Sequence, residues 1–252
     1  MEWFGVLAIC ALVAVLLIHT GALRRADNII HDAFLGLRAH NPDSRLVIVA
    51  IDNRSLETLG RWPWPRQTHA QMIDRLTDAD VSAAGLDVLF VETSPDDAEL
   101  AAALRRSGRT CLPMAIDPSG RNGAAWQELL PVPILAGSAA GIGQVNLAAD
   151  DDGIVRRAPL SIHAAGKRWD HLVTCVLSQA GVPVPEPAPG PRTTPAPLQD
   201  LTVTARPIVF TGRQGAFRTV SYIDVLNGEV PAELLRERIV LIGMTGDGQG
   251  DR

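Results

Sequence analysis

Nowhere in this 252-residue chain is there a G-x-S-x-G elbow, an H-E-x-x-H pair or a protein-kinase signature set. Those absences remove the serine-hydrolase, zinc-protease and kinase chemistries that such motifs announce. The three cysteines, Cys10, Cys111 and Cys175, have no metal-type spacing. The six histidines (His19, His31, His40, His69, His163 and His171) show no ligand spacing either. Net charge is −5 and the basic residues are scattered, which excludes the basic stripe of a nucleic-acid binder. Asp150-Asp151-Asp152-Gly153 lacks the alternating acids and distal Glu of a calcium loop, so it reads as a tight turn. The glycines after Ile242 lack the Gly-Lys-Ser/Thr of a phosphate loop. No catalytic residue and no cofactor are expected, and a metal is left open.

What the chain does have begins at its start. Trp3 to Leu23 carries no charge and is broken only by His19 and Thr20. A bilayer core needs roughly 20 apolar residues, so residues 3–23 are expected to span the membrane once. A cleaved signal peptide would want a positive start and a shorter run, and Glu2 stands where that charge belongs. Arg24 and Arg25 follow the span, against the positive-inside rule for an external domain. Residues 24–45 read as a membrane-proximal helix, over Ile29 to Leu37, and a linker broken at Pro42.

From residue 46 onward the pattern alternates strands and helices. Leu46–Ile51 is an apolar, β-branched run suited to a strand buried on both faces. Met72, Ile73 and Leu76 give Arg66–Asp78 a helical period, and Val81–Phe90 contains a second strand. Ala98–Ser107 reads as a helix. Thr110–Ile116 reads as a strand that Pro113 places at an edge or an early end. Gly141–Leu147 is expected to pair with Ile154–Ile162 across the Asp150–Gly153 turn as a hairpin. Trp169–Ala180 and Ser221–Leu226 read as helices, and Pro207–Phe210 and Ile239–Gly243 as strands. Residues 182–200 hold seven prolines and form an extended insert. The expected fold is α/β: a single mixed, largely parallel sheet flanked by helices, after one N-terminal transmembrane helix. Cys111 and Cys175 read as two buried free thiols, a bridge between them being the alternative in an oxidising compartment.

Two strands end at acids, Asp52 after Ala50-Ile51 and Asp87 after Gly85-Leu86. If those strands are parallel neighbours, both carboxylates stand at the carboxyl edge where open α/β sheets bind ligands. With Asp96 and Asp97 they would suit a divalent cation or an amine. The rival reading is that they cap the following helices and loops through backbone amides. Between them lies Gly60-Arg61-Trp62-Pro63-Trp64-Pro65-Arg66, where each proline fixes its own φ and restricts its predecessor. Trp62 and Trp64 would form an aromatic wall with Arg61 or Arg66 beside it, or a helix-opening corner packed on the sheet, with at least one indole buried.

These same residues carry a family resemblance. Asp52, Ser55, Leu59, Gly60, Trp62, Pro63, Trp64, Pro65, Arg66 and His69 resemble the first block of the type-two CHASE extracellular sensor domain. Asp87, Phe90 and Asp97 are similar to its second block. Gly143 to Asn146, Asp150 to Gly153 and Arg156 to Leu160 resemble its central block. Ser221 to Leu226, Gly228 and Ile239 to Gly243 resemble its last. The resemblance implies a periplasmic or extracellular sensory module, residues 46–252, in a bacterial receptor whose cytoplasmic end is a cyclase, diguanylate cyclase or kinase. Members continue into further membrane helices where this chain stops at Arg252, so it reads as a fragment. Its expected ligand site is Asp52, Ser55, Trp62, Trp64, Arg66, Asp87 and Asp97. The stimulus, a small molecule or a protein, is not named by the sequence, and a homodimer is possible. The alternatives are a metal-assisted hydrolase built on Asp52, Asp87 and Asp97, and a structural dimerisation domain.

Overall fold

A computed structural model describes residues 3–6, 41–117, 126–147, 149–150, 152–164, 166–184, 202–211 and 215–245. The expected span (3–23, apart from 3–6), the membrane-proximal helix and most of the proline-rich insert lie outside the described residues. No described helix is long and apolar enough to cross a membrane. The chain divides into two compact units, 1–42 with 209–216 and 43–208 with 217–252. In the first, residues 3–6 are helical and Trp3, Phe4, Val209 and Phe210 are exposed. The rest concerns the second.

Its main sheet runs β4-β3-β2-β10-β1-β9, with β5 also on β3. The strands are β1 (Leu46–Ile51), β2 (Ala83–Leu86), β3 (Thr110–Asp117), β4 (Gln127–Leu129), β5 (Gly141–Gln144), β9 (Arg218–Ser221) and β10 (Ile239–Met244). Every pairing is parallel except β3 with β4. Helices α1 (Asn53–Leu59), α2 (Arg66–Asp78), α3 (Asp97–Ser107), α4 (Pro133–Ala136), α5 (Leu172–Gln179) and α6 (Tyr222–Leu226) accompany the sheet. Alternate residues of the strands face one main core. Val47, Val49, Ile51, Leu86, Leu112, Val240 and Ile242 meet Met72, Ile73 and Leu76 of α2 and Leu100 and Leu104 of α3 there. The opposite face carries Ala83, Cys111 and Ile239 under Leu172 and Val176 of α5.

The expected single sheet is two. A separate three-stranded antiparallel sheet, β7-β6-β8, is built from β6 (Arg157–Ala164), β7 (Lys167–Asp170) and β8 (Thr202–Pro207). The expected hairpin does not form, because β5 pairs with β3 and β6 pairs with β7 and β8. The Asp150 turn does form, with the Gly153 amide donating to Asp150 O and Gly153 at φ +80°. Buried Arg156 staples it, reaching Asp150 at 2.9 Å and Asp152 at 2.8 Å. Trp169 and Asp170 belong to β7 rather than to the helix, and the strand expected at Pro207–Phe210 lies earlier, at β8.

Pro113 is not at an edge. The carbonyls of Thr110 and Met114 accept from Ala140 and Val145 on the β5 side, so Pro113 turns its nitrogen toward β2. Pairing with β2 stops at Cys111, and no ladder donor is required of Pro113 there.

The two sheets are stitched by amide side chains. Gln144 Nε2 donates to Pro159 O at 2.6 Å, and the Asn146 amide donates to Gln144 Oε1 at 2.9 Å. The Asn146 side chain accepts from Ile116 N and donates to Ile116 O, continuing β3 as a strand would. Met114, Ile116, Ile162 and Ala164 fill the seam.

Helix α5 lies on glycines. A Cβ on Gly143 would come within 2.4 Å of Leu172 Cα, and one on Gly141 within 2.5 Å of Cys175 Sγ. This close approach overturns the reading of two free thiols. Cys111 pairs in register with Gly141, the space above Gly141 admits the Cys175 sulfur, and the two cysteines are disulfide-bonded with their Cα atoms 6.3 Å apart.

Candidate functional site

Asp52 leaves β1 and caps α1. Its Oδ1 accepts from the Ser55 amide at 2.9 Å, from Ser55 Oγ at 2.6 Å and from Ser221 Oγ at 2.9 Å. Ser55 is fully buried, and its hydroxyl accepts from the Ile223 amide at 3.1 Å. Partial burial raises the Asp52 pKa, but the Ser55 and Ser221 hydrogen bonds outweigh it and the carboxyl sits below its usual range. Helix α1 was not legible beforehand, because its seven residues offer only two apolar positions, Leu56 and Leu59.

After α1 the chain turns at Gly60, held at φ +85° as α1's C-cap, where a side chain would be strained. The Trp62–Pro63 peptide is cis. Trp64 is 3% exposed and its Nε1 donates to Gly60 O at 3.0 Å. Trp62 is half-buried and meets Trp64 edge-on with centroids 5.1 Å apart. One indole is core and the other faces partly outward.

His69, on the first turn of α2, occupies the middle of this corner. Its ring lies 5.8 Å from Trp62, 6.2 Å from Trp64, 5.5 Å from Phe90 and 6.1 Å from Tyr222. Nδ1 is 3.1 Å from Tyr222 Oη, which also lies 3.2 Å from Thr68 O. Burial, with Arg66 adding to it, lowers the His69 pKa to about 4, so the ring is neutral at pH 7. Burial raises that of Tyr222.

Arg66 stacks its guanidinium over Phe90, 4.5 Å from the ring centroid, and donates to Glu92 O. It also pairs with Asp97 at 3.1 Å, both side chains being nearly buried. The other Asp97 oxygen accepts from the Ser94 amide at 2.8 Å.

Asp52 and Asp87 both stand at the carboxyl edge, but β10 lies between their strands. At about 4.8 Å per strand their backbones are roughly 10 Å apart. Asp87 is exposed, and its amide donates to Ile242 O. The structure therefore gathers Asp52 with Ser55, and Trp62, Trp64 and Arg66 with Asp97, without bringing the three carboxylates together. Among the described residues no group of three His, Cys, Asp or Glu side chains is placed to hold a metal ion. The residues that join the two clusters are His69, Phe90, Ser221 and Tyr222. Tyr222 was detectable as the chain's one tyrosine, and His69 as the residue one turn beyond Arg66 on the apolar face of α2.

An α/β module whose acid-ended strand, Trp-Pro corner and late serine–tyrosine pair close into one network is a specific architecture. A family model described as the CHASE2 domain matches residues 8–252. The chain belongs to the CHASE2 family, the extracellular sensory domains of receptors. No curated protein and no solved structure matches it.

Proposed function

We propose that this chain is the extracytoplasmic sensory module of a bacterial transmembrane receptor. Residues 3–23 cross the membrane once, and the module governs a cyclase, diguanylate cyclase or kinase domain in the receptor's cytoplasmic part. The stimulus is received at the corner of Trp62, Trp64, Arg66 and Asp97, with Asp52, Ser55 and Asp87 along the same sheet edge. Family membership supports the sensory role. The observation that carries the placement is the Cys111–Cys175 disulfide, because such bonds persist in oxidising compartments and are rare in the cytosol. Positive residues after the span do not oppose it, since large domains translocate largely regardless of flanking charge.

Thiol trapping tests the placement. Cells expressing the chain are quenched in acid and alkylated with a maleimide before and after reduction. The expected result is that Cys111 and Cys175 react only after reduction. Two freely alkylated thiols would put the module in the cytosol.

A further inference from the structure

Helix α6 has five residues, too few to hold its shape by propensity, and titratable side chains from two other elements hold it. Asp52 accepts from Ser221 just before the helix and, through Ser55 Oγ, fixes the Ile223 amide. His69 meets Tyr222, the first residue of the helix, at 3.1 Å. Two further ties are exposed and involve arginines: Arg54 of α1 donates to Asp224 of α6 at 3.1 Å, and Arg75 of α2 donates to Leu226 O at the end of α6 at 3.1 Å.

We propose that this clamp on α6 is a proton-operated switch, and that acidification is a stimulus to which the module responds. The inference deepens the sensory reading of the corner and rests on it.

The groups facing His69 set the direction. Arg66 stands on the same helix with its guanidinium over Phe90, the ring that His69 touches edge-on. Phe90 comes from the segment after β2, the indoles of Trp62 and Trp64 from the corner, and the phenol from α6. The carboxylate in this set, Asp97, is committed to Arg66 and to the Ser94 amide. A proton taken up by the imidazole puts a second positive charge beside Arg66, where the neighbouring described carboxylate, Asp97, is already engaged. The imidazolium gains stability by leaving the box, and leaving breaks the Tyr222 contact. Asp52 would follow only at still lower pH, since its carboxyl is held below its usual range, and once protonated it is a poorer acceptor for the Ser55 and Ser221 donors. Both releases lie on the acid side, consistent with the lowered pKa of each group.

The full chain in detergent micelles is taken from pH 7.5 to pH 4 while hydrogen exchange is followed, corrected for intrinsic rates. The expected result is a reversible loss of about tenfold in protection or more in peptides covering 60–70 and 221–228, with α5 and β3 retaining theirs. His69→Gln, which keeps a polar group near Tyr222 but does not titrate, should move that transition about one pH unit toward acid or further. Superimposable profiles for the two proteins would overturn the proposal, as would a single global unfolding of every peptide. If His69→Gln does not fold, imidazole titration by NMR in the unsubstituted chain decides. His69 must titrate together with the Tyr222 and Ile223 amide signals, and independent titration overturns the proposal. A flat profile from a chain whose cysteines are oxidised in cells would remove the proton response and leave the sensory reading standing.

Discussion

Asp52 shows how one residue can be found in a sequence and still be assigned two roles. A carboxylate at a strand end suits a ligand site and a helix cap equally well on paper. The structure shows the cap, with three donors on Oδ1, and a ligand role at the same carboxylate stays a proposal. Asp52→Ala should cost about 1–3 kcal/mol, from the lost cap and the stranded Ser55 and Ser221 hydroxyls. Urea denaturation measures it, and an unchanged midpoint would mean that the cap is dispensable. Trp64 was separable from Trp62 only in three dimensions, since both sit in the same Trp-Pro repeat. His69 carries a pH dependence whose sign is fixed by its environment. Its pKa falls from 6.5 to about 4 on folding, so the unfolded chain binds the extra proton between those values. Stability is full above about pH 6.5 and is lost as the pH falls toward 4, by about 3 kcal/mol. Denaturation midpoints measured across that range for the unsubstituted chain and His69→Gln should diverge, the variant staying flatter.

Among the elements, those with long apolar or periodic signals were legible. β1, β10, α2 and α3 lie where hydrophobic runs and helical spacing put them. The short strands β4 and β9, of three and four residues, have half-buried or exposed patterns and left no signal. The second sheet was misread for a different reason. A turn between two apolar runs predicts a local hairpin, whereas β5 finds its partner in β3, about thirty residues back. Helix α5 depends on what its neighbours lack. Gly143→Ala forces a Cβ against Leu172 backbone, which a side-chain rotation cannot relieve, and should cost about 1–3 kcal/mol or more. Thermal denaturation of that variant checks it. The disulfide anchors the same helix across a sequence separation of 64 residues. A loop of that length implies about 4 kcal/mol in the chain-entropy account. Cys111→Ser with Cys175→Ser should therefore lower the urea midpoint substantially, and the parent chain in reductant should show the same shift.

For the molecule as a whole, the sequence signalled an α/β class and a family, and the structure supplied the order of the strands. β10, the last described strand, inserts between β1 and β2. This late insertion separates the two acids that the chain order suggested were neighbours. It also lays the strand leading to the C-terminal end of the module beside the strand that Asp52 ends. α6 is thereby one strand away from β10, since α6 follows β9 and β9 pairs with β1, which pairs with β10.

The α/β unit is expected to lie outside the cytoplasm as the sensory part of a receptor. The chain contains a single lysine, Lys167, with 63% of its side chain exposed on β7. Intact cells expressing the chain are treated with a membrane-impermeant amine-reactive biotin ester, and the modified peptide is identified by mass spectrometry, with Lys167→Arg as the control. Biotin is expected on Lys167 in intact cells at a level that lysis does not raise. Modification of Lys167 only after lysis would instead put the unit inside the cytoplasm.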